Sequence, residues 1–217
     1  MNTELDLNNT PPAKASLTPW LSVWTAPRRT IRGFLDSGNP RRNMIWLSMA
    51  AGFLSALGRA SSKNLGDAMS LPTIFLMSIP AGIVGGLFTL YVGSFLLKII
   101  GGWLGGQGSR AELQTALARG LFMPAVLLGL MWVPELLFLG KEMFTSEMPS
   151  LESNMAALLV YFICVVLELV FGVWSFIITM KAIGEAHRFS AWKALLSSVM
   201  PILILLVLFF LVMLMVQ

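Results

Sequence analysis

The chain has 217 residues, of which 56% are apolar and only 12% are charged, and its mean hydropathy is +0.77. This composition excludes a water-facing globular protein and indicates an integral membrane protein. One cysteine, Cys164, and one histidine, His187, are too few for a disulfide framework or a metal site, so neither metal nor other cofactor is expected.

The N-terminal segment, 1–42, is polar and contains a basic amphipathic stretch at 20–35. Tryptophans and other apolar residues lie there among arginines, which is typical of a short helix at the level of lipid headgroups. The favoured interpretation is a basic anchor that only sets topology. The alternative is a binding site for anionic lipid. Its candidate headgroup residues are Trp20, Trp24, Arg28, Arg29 and Arg32.

The rest of the chain, 43–217, is predicted to be an all-α membrane domain, a compact bundle of transmembrane helices. A hydrocarbon core about 30 Å thick requires roughly 20 apolar residues per helix. Five segments approach or exceed this length, and the first of them is the shortest: 43–59, 73–100, 116–140, 155–180 and 194–216.

Lysines and arginines are unevenly divided between the two ends of these segments. Twelve fall before the first segment or near the second and fourth connections, and three fall near the other two connections. Because positive residues are retained in the cytoplasm, the N-terminus is predicted to be cytoplasmic and the C-terminus external. The net charge of +4 follows from this topology, and no nucleic-acid partner is expected.

The fourth predicted segment carries a polar stripe. At 100° per residue, one narrow face collects small and polar side chains, and Glu168 lies near its centre. We expect this face to turn into the bundle and Glu168 to be a neutral hydrogen-bonding group. A role in lining a pathway stays open. The intramembrane candidates on this face are Tyr161, Glu168, Ser175 and Thr179.

Three further charged residues lie within or beside the predicted spans. Helix rise places Arg59 and Glu135 at similar depths in the outer third of the membrane, so we expect them to be able to pair. Arg119 lies near the cytoplasmic end of its helix, too far from Glu168 for an unstrained salt bridge.

Two connections carry local signals. Gly106 and Gly108 superficially match a dinucleotide fingerprint, but no β-strand precedes them, and nucleotide binding is rejected. Ser109 and Glu112 predict a capping box that begins the third membrane helix. In the fourth connection, His187 is interpreted as part of a polar loop at the membrane edge.

Five motifs together resemble the Ypt/Rab-interacting protein (YIP) domain family of five-span membrane proteins. They are W-x-x-x-W-x-x-P-R-R-T at 20–30, GGQGSRAEL at 105–113, LARGLFMP at 117–124, GVWSFII at 172–178 and AHRFSAWKA at 186–194. The resemblance implies a compact five-helix domain with a cytosolic N-terminus. Eukaryotic relatives are similar to adaptors that contact small GTPases. The short segment before the first span makes a small GTPase an unlikely partner here and favours a bacterial cytoplasmic (inner) membrane protein.

The expected function is a non-enzymatic membrane organiser or adaptor whose helix bundle binds lipid or a partner. The partners considered are membrane lipids, chiefly anionic ones, and a membrane protein, either another copy of this chain or a different one. The alternative is a small carrier or channel for a proton, ion or small solute that uses Glu168. No catalytic residues are predicted, because no nucleophile, base and orienting group converge.

Overall fold

The structure is a computed structural model in which residues 19–216 are described, with side chains for 19–214. The first part of the predicted N-terminal segment, 1–18, lies outside the described residues. All regular secondary structure in 19–216 is helical, which confirms the all-α prediction.

The helices follow one another with short connections. Their bounds are α1 Pro19–Thr25, α2 Pro27–Leu35, α3 Met44–Ser62, α4 Leu71–Phe88, α5 Ser94–Trp103, α6 Arg110–Leu117, α7 Met123–Leu128, α8 Trp132–Leu139, α9 Pro149–Ser153, α10 Met155–His187 and α11 Ala191–Val216. A π-helical turn, Thr89–Gly93, joins α4 to α5, and a second, Ala118–Phe122, joins α6 to α7.

Four continuous helical rods are long and apolar enough to cross a membrane. They are Leu71–Trp103, Arg110–Phe144, Met155–His187 and Ala191–Leu214. The chain is therefore a multi-pass helical membrane protein. Helix α3 occupies the first predicted span but is not one of these four.

Helices α3 and α4 form the closest helix pair. A Cβ atom on Gly86 would overlap the carbonyl oxygen of Ser48, and one on Gly52 would overlap the carbonyl oxygen of Gly82. Small residues allow membrane helices to approach until their backbones touch. The pairing of Ser48 with Gly86 and of Gly52 with Gly82 makes the two helices antiparallel.

Two apolar clusters lie at opposite ends of the bundle. The first surrounds Leu90, Leu113 and Ile183, and the second surrounds Ile74 and Phe144. We call the first end, where α3, α6 and α11 begin and α5 and α10 end, the basic end, because most of the lysines and arginines lie there.

Helices α1 and α2 pack against the bundle through their apolar side chains. Val23 and Ile31 are fully buried. The indole N–H of Trp174 in α10 donates to the Trp24 carbonyl (2.9 Å), and the Trp24 ring meets Phe171 edge to face at 5.5 Å. The buried side chains of this stretch therefore contact protein and not lipid.

Candidate functional site

The predicted polar face of α10 is its more buried face. Cys164 and Thr179 are buried and Glu168 is half-buried, whereas Phe162 and Leu169 on the opposite side are 63% and 67% exposed. Tyr161, Gly172 and Ser175 on the polar face are also half-buried. Small and polar side chains of α10 thus face the other helices, and large apolar ones face outward.

Thr179 and Ser175 mark where this face meets the π-helical turn Ala118–Phe122. A π-helical turn leaves backbone carbonyls without their usual partner. The Thr179 hydroxyl reaches the carbonyl oxygen of Gly120 at 2.9 Å and that of Ser175 at 2.8 Å. The Ser175 hydroxyl is buried and has no hydrogen-bond partner within the described part of the chain.

A groove of about 610 Å³ lies beside Ser175, and its walls come from the rods that contain α5, α7, α10 and α11. Its lining is almost entirely apolar, with hydroxyl groups as the only polar side chains. The lining residues that matter below are Gly93, Leu121, Gly172, Ser175, Thr179 and Ser198. Bordering side chains such as Phe176 and Leu96 are 52% and 38% exposed, so the groove opens onto the outer surface of the bundle.

The acidic residues of the interior are arranged differently from the prediction. Arg59 is exposed and lies against Gly85, and the described residues contain no salt bridge between Arg59 and Glu135. Instead Glu135 is only 3% exposed and lies on α8, which packs against α10, the helix that carries Glu168. The hydrogen bond expected for Glu168 is not found among residues 19–214. Within residues 19–214 neither carboxyl forms a salt bridge, because Arg59, the arginine at matching depth, is exposed.

Arg119 is buried at the basic end. No salt bridge joins it to Glu168, as predicted. Its guanidinium donates to the carbonyl oxygen of Arg42 and lies 4.1 Å from the centre of the Phe34 ring, a cation–π contact. Arg119 thereby joins α2, the start of α3 and the π-helical turn.

Glu185 binds two of the predicted headgroup arginines. Arg32 Nε donates to Glu185 Oε1 at 2.8 Å, and Arg32 Nη2 lies 2.6 Å from the same oxygen. Arg28 Nη1 lies 3.3 Å from Oε2. Arg29 is exposed and makes no salt bridge within the described residues. Arg28 and Arg32 are therefore bound by protein, and Arg29 is the one of the three arginines that makes no such contact within residues 19–214. Trp20 is 37% exposed.

His187 is 1% exposed, so its interpretation as part of a polar loop is wrong. The backbone N–H of Gly108 donates to Nδ1 (3.2 Å), which places the ring proton on Nε2, and Nε2–H donates to the Leu97 carbonyl (3.1 Å). The ring stacks on Phe189 with centroids 4.8 Å apart. The imidazole therefore fastens the end of α10 to the α5–α6 connection.

The glycines of that connection make room for the imidazole. A Cβ on Gly101 or Gly106 would overlap the His187 ring, and one on Gly108 would lie 2.9 Å from the Ala186 carbonyl oxygen. The capping box predicted from Ser109 and Glu112 is present. No group of three His, Cys, Asp or Glu able to hold a metal occurs in the described part of the chain.

The sequence profile of the Yip1 domain matches residues 21–213, nearly the whole chain. The chain belongs to the Yip1-domain family. No curated protein and no solved structure matches it.

In this Yip1-domain protein, motifs that carry the resemblance contact one another, several of them at the basic end. The GGQG turn encloses His187 of the AHRF motif, and Arg28 of the PRRT motif donates to the Phe189 carbonyl (3.3 Å). Trp174 of the GVWS motif binds the Trp24 carbonyl. These motifs therefore contact one another in the fold, although they are spread over 175 positions of the chain, 20–194.

Two residues at this end were missed by sequence reasoning. Glu185 was not considered, because a carboxylate in a connection is ordinarily solvated; the signal was the facing pair Arg28 and Arg32. Gln114 was not considered either, because a glutamine in the first turns of a helix is unremarkable. It is only 6% exposed.

Proposed function

We propose that this Yip1-domain protein crosses the membrane five times, with the basic end in the cytoplasm and the C-terminus outside, in a bacterial cytoplasmic membrane. Support for α3 as the fifth span comes from its 19 residues and from its contact along α4. The α3–α4 connection also meets the α8–α9 connection, where Asp67 accepts from the Ser146 backbone N–H at 3.2 Å. An excess of arginine and lysine at the basic end agrees with this orientation.

The proposed function is that of a non-enzymatic membrane organiser or adaptor that binds lipid, or a second membrane protein, through its helix bundle. The observation that carries the proposal is the groove on the polar face of α10. Its position between apolar rods that are exposed on their outer sides favours an occupant already dissolved in the bilayer.

The occupant that fits the groove best is a lipid acyl chain. The groove lies on the basic-end half of the rods, since Gly93, Leu121 and Ser198 all belong to the helix halves nearest that end. Apolar lining of this kind gives an acyl chain dispersion contacts at little cost in desolvation.

A Gly172→Phe variant tests this function. Gly172 lines the groove and a Cβ there meets no atom within 4 Å, so a phenyl ring enters space that we assign to lipid. We expect native mass spectra from a mild detergent to show at least severalfold less retained lipid than wild type. The matched control is Val173→Phe, because Val173 is 57% exposed on the outward face. Equal lipid retention by wild type and Gly172→Phe, or none in wild type, would contradict the proposal.

The second candidate function is a small carrier or channel. It is favoured by Glu135, which is buried on α8, packed against the helix that carries Glu168, with no salt bridge to either acid in the described residues. Paired acids inside a membrane protein commonly bind a proton or cation. This candidate requires flux of protons, ions or a small solute in proteoliposomes, abolished by Glu168→Gln. If the wild-type protein transports nothing but retains lipid, the result favours the organiser function.

A further inference from the structure

A second cavity, of about 300 Å³, lies at the basic end and is separate from the groove. It is formed where the start of α3, the π-helical turn Thr89–Gly93 and the start of α6 meet, and it shares no lining residue with the groove. Its lining consists of Arg41, Met44, Tyr91, Arg110, Ala111 and Gln114. We call it the arginine pocket.

Gln114 is the buried polar group of the arginine pocket. The residue is 6% exposed, yet no side chain or backbone group of residues 19–214 makes a hydrogen bond with its amide. Buried polar groups ordinarily have a hydrogen-bond partner. Because Gln114 lines the cavity, its amide is free to bind whatever fills the cavity.

The charge of the arginine pocket is positive and uncompensated. Neither Arg41 nor Arg110 makes a salt bridge within the described residues. Arg110 is held in place by the Tyr91 carbonyl at 3.4 Å and by the Phe95 ring, whose centre lies 5.7 Å from the guanidinium carbon. The nearest acid on α6, Glu112, is committed to the Ser109 backbone N–H at 2.7 Å.

The N-terminus of α6 does not account for ligand binding in the arginine pocket. The capping box already uses two of its four free N–H groups, because the Ser109 hydroxyl accepts from the Glu112 backbone N–H and the Glu112 carboxylate from the Ser109 backbone N–H. The Glu112 carboxylate also places a negative charge at this helix end, which disfavours an anion there. Recognition in the arginine pocket therefore depends on side chains. Two arginines and a neutral amide donor match an oxyanion with several acceptor oxygens, and guanidinium groups favour phosphate in particular.

We propose that the arginine pocket binds a phosphate group, with Arg41 and Arg110 on its oxygens and the Gln114 amide and Tyr91 hydroxyl as further donors. The phosphate belongs either to a phospholipid headgroup or to free phosphate. Tyr91 and Phe95 are 38% and 47% exposed on the same surface, as aromatic residues at a membrane interface are. If the phosphate belongs to a phospholipid, this proposal rests on the proposed lipid-binding function and extends it. Binding of free phosphate does not depend on that function.

The experiment is native mass spectrometry of the full chain in a neutral detergent. The probes are phosphatidic acid, diacylglycerol as its phosphate-free counterpart, and inorganic phosphate at millimolar concentration. The variants are Arg41→Gln and Gln114→Met, the second being close in volume to the original side chain. Arg188→Gln is the matched control, because it removes the same charge from an exposed arginine at the basic end that does not line the pocket. Thermal unfolding midpoints verify that each variant is folded.

We expect wild type and Arg188→Gln to bind phosphatidic acid and not diacylglycerol. Each pocket variant should bind phosphatidic acid about tenfold more weakly, as for the loss of one hydrogen bond to a charged group. Competition by inorganic phosphate identifies the free anion as a sufficient ligand, and its absence identifies the phospholipid; both outcomes support the pocket. Pocket variants that bind phosphatidic acid as tightly as Arg188→Gln does, or equal binding of diacylglycerol, would overturn the proposal. If the groove does not bind lipid, the lipid retention of the Gly172→Phe variant shows this separately.

Discussion

A Gly86→Ala variant is expected to be strongly destabilised, because the α3–α4 contact has no room for a methyl group. A Cβ on Gly86 would overlap the Ser48 carbonyl oxygen and lie 2.7 Å from the Ser48 carbonyl carbon. These are backbone atoms, so the helices must separate along their whole contact. Overpacking costs about 1–3 kcal/mol, and separation also loses the contacts of Gly52 and Gly82. We expect the thermal unfolding midpoint in detergent to fall by several degrees.

The neighbouring glycine provides the control for this prediction. A Cβ on Gly85 would meet only the end of the Arg59 side chain, at 3.6 Å, which is an ordinary contact. Both substitutions change helix propensity equally, so Gly85→Ala should unfold near the wild-type temperature. Equal midpoints for Gly85→Ala and Gly86→Ala would show that α3 does not pack on α4 as described.

A His187→Phe variant is expected to release the α5–α6 connection from α10. Phenylalanine retains a ring that stacks on Phe189 but leaves the Gly108 N–H and the Leu97 carbonyl without their partner. Each buried polar group left unpaired costs about 1–3 kcal/mol. We expect a lower free energy of unfolding and faster amide hydrogen exchange around Gly108.

Glycine substitutions separate the fit of the ring from its hydrogen bonds. Gly106→Ala keeps the imidazole but places a Cβ in its volume, whereas a Cβ on Gly102 meets nothing within 4 Å. Gly106→Ala should therefore show the same local increase in exchange as His187→Phe, and Gly102→Ala should not. Protection that is unchanged in His187→Phe and Gly106→Ala would mean that His187 does not fasten this connection.

Periodicity was sufficient to predict the parts of the fold that depend on one helix alone. The polar face of α10, with Cys164, Glu168 and Thr179, is its inward face because a membrane helix turns its polar side chains away from lipid. The capping box of Ser109 and Glu112 is equally local, since its partners are three residues apart. Composition and hydropathy sufficed to predict a multi-pass helical protein.

Periodicity could not predict contacts between residues that are far apart in the sequence. His187 binds Gly108, and Glu185 binds Arg32, across 79 and 153 positions. Nothing in the local pattern of the fourth connection distinguishes these side chains from a solvated loop. The predicted Arg59–Glu135 pair failed for a related reason, because equal depth does not fix the direction in which a helix turns a side chain.

Topology is the measurement that tests the central claim most directly, because the groove and the arginine pocket both depend on where the basic end lies. In a Cys164→Ala background, single cysteines at Gly38, before α3, and at Ser146, between α8 and α9, report the two ends; both positions are exposed. Five spans with a cytoplasmic basic end predict that a membrane-impermeant maleimide labels Ser146→Cys from outside intact cells and labels Gly38→Cys only after the membrane is opened. Labelling of both positions from the same side would contradict the account.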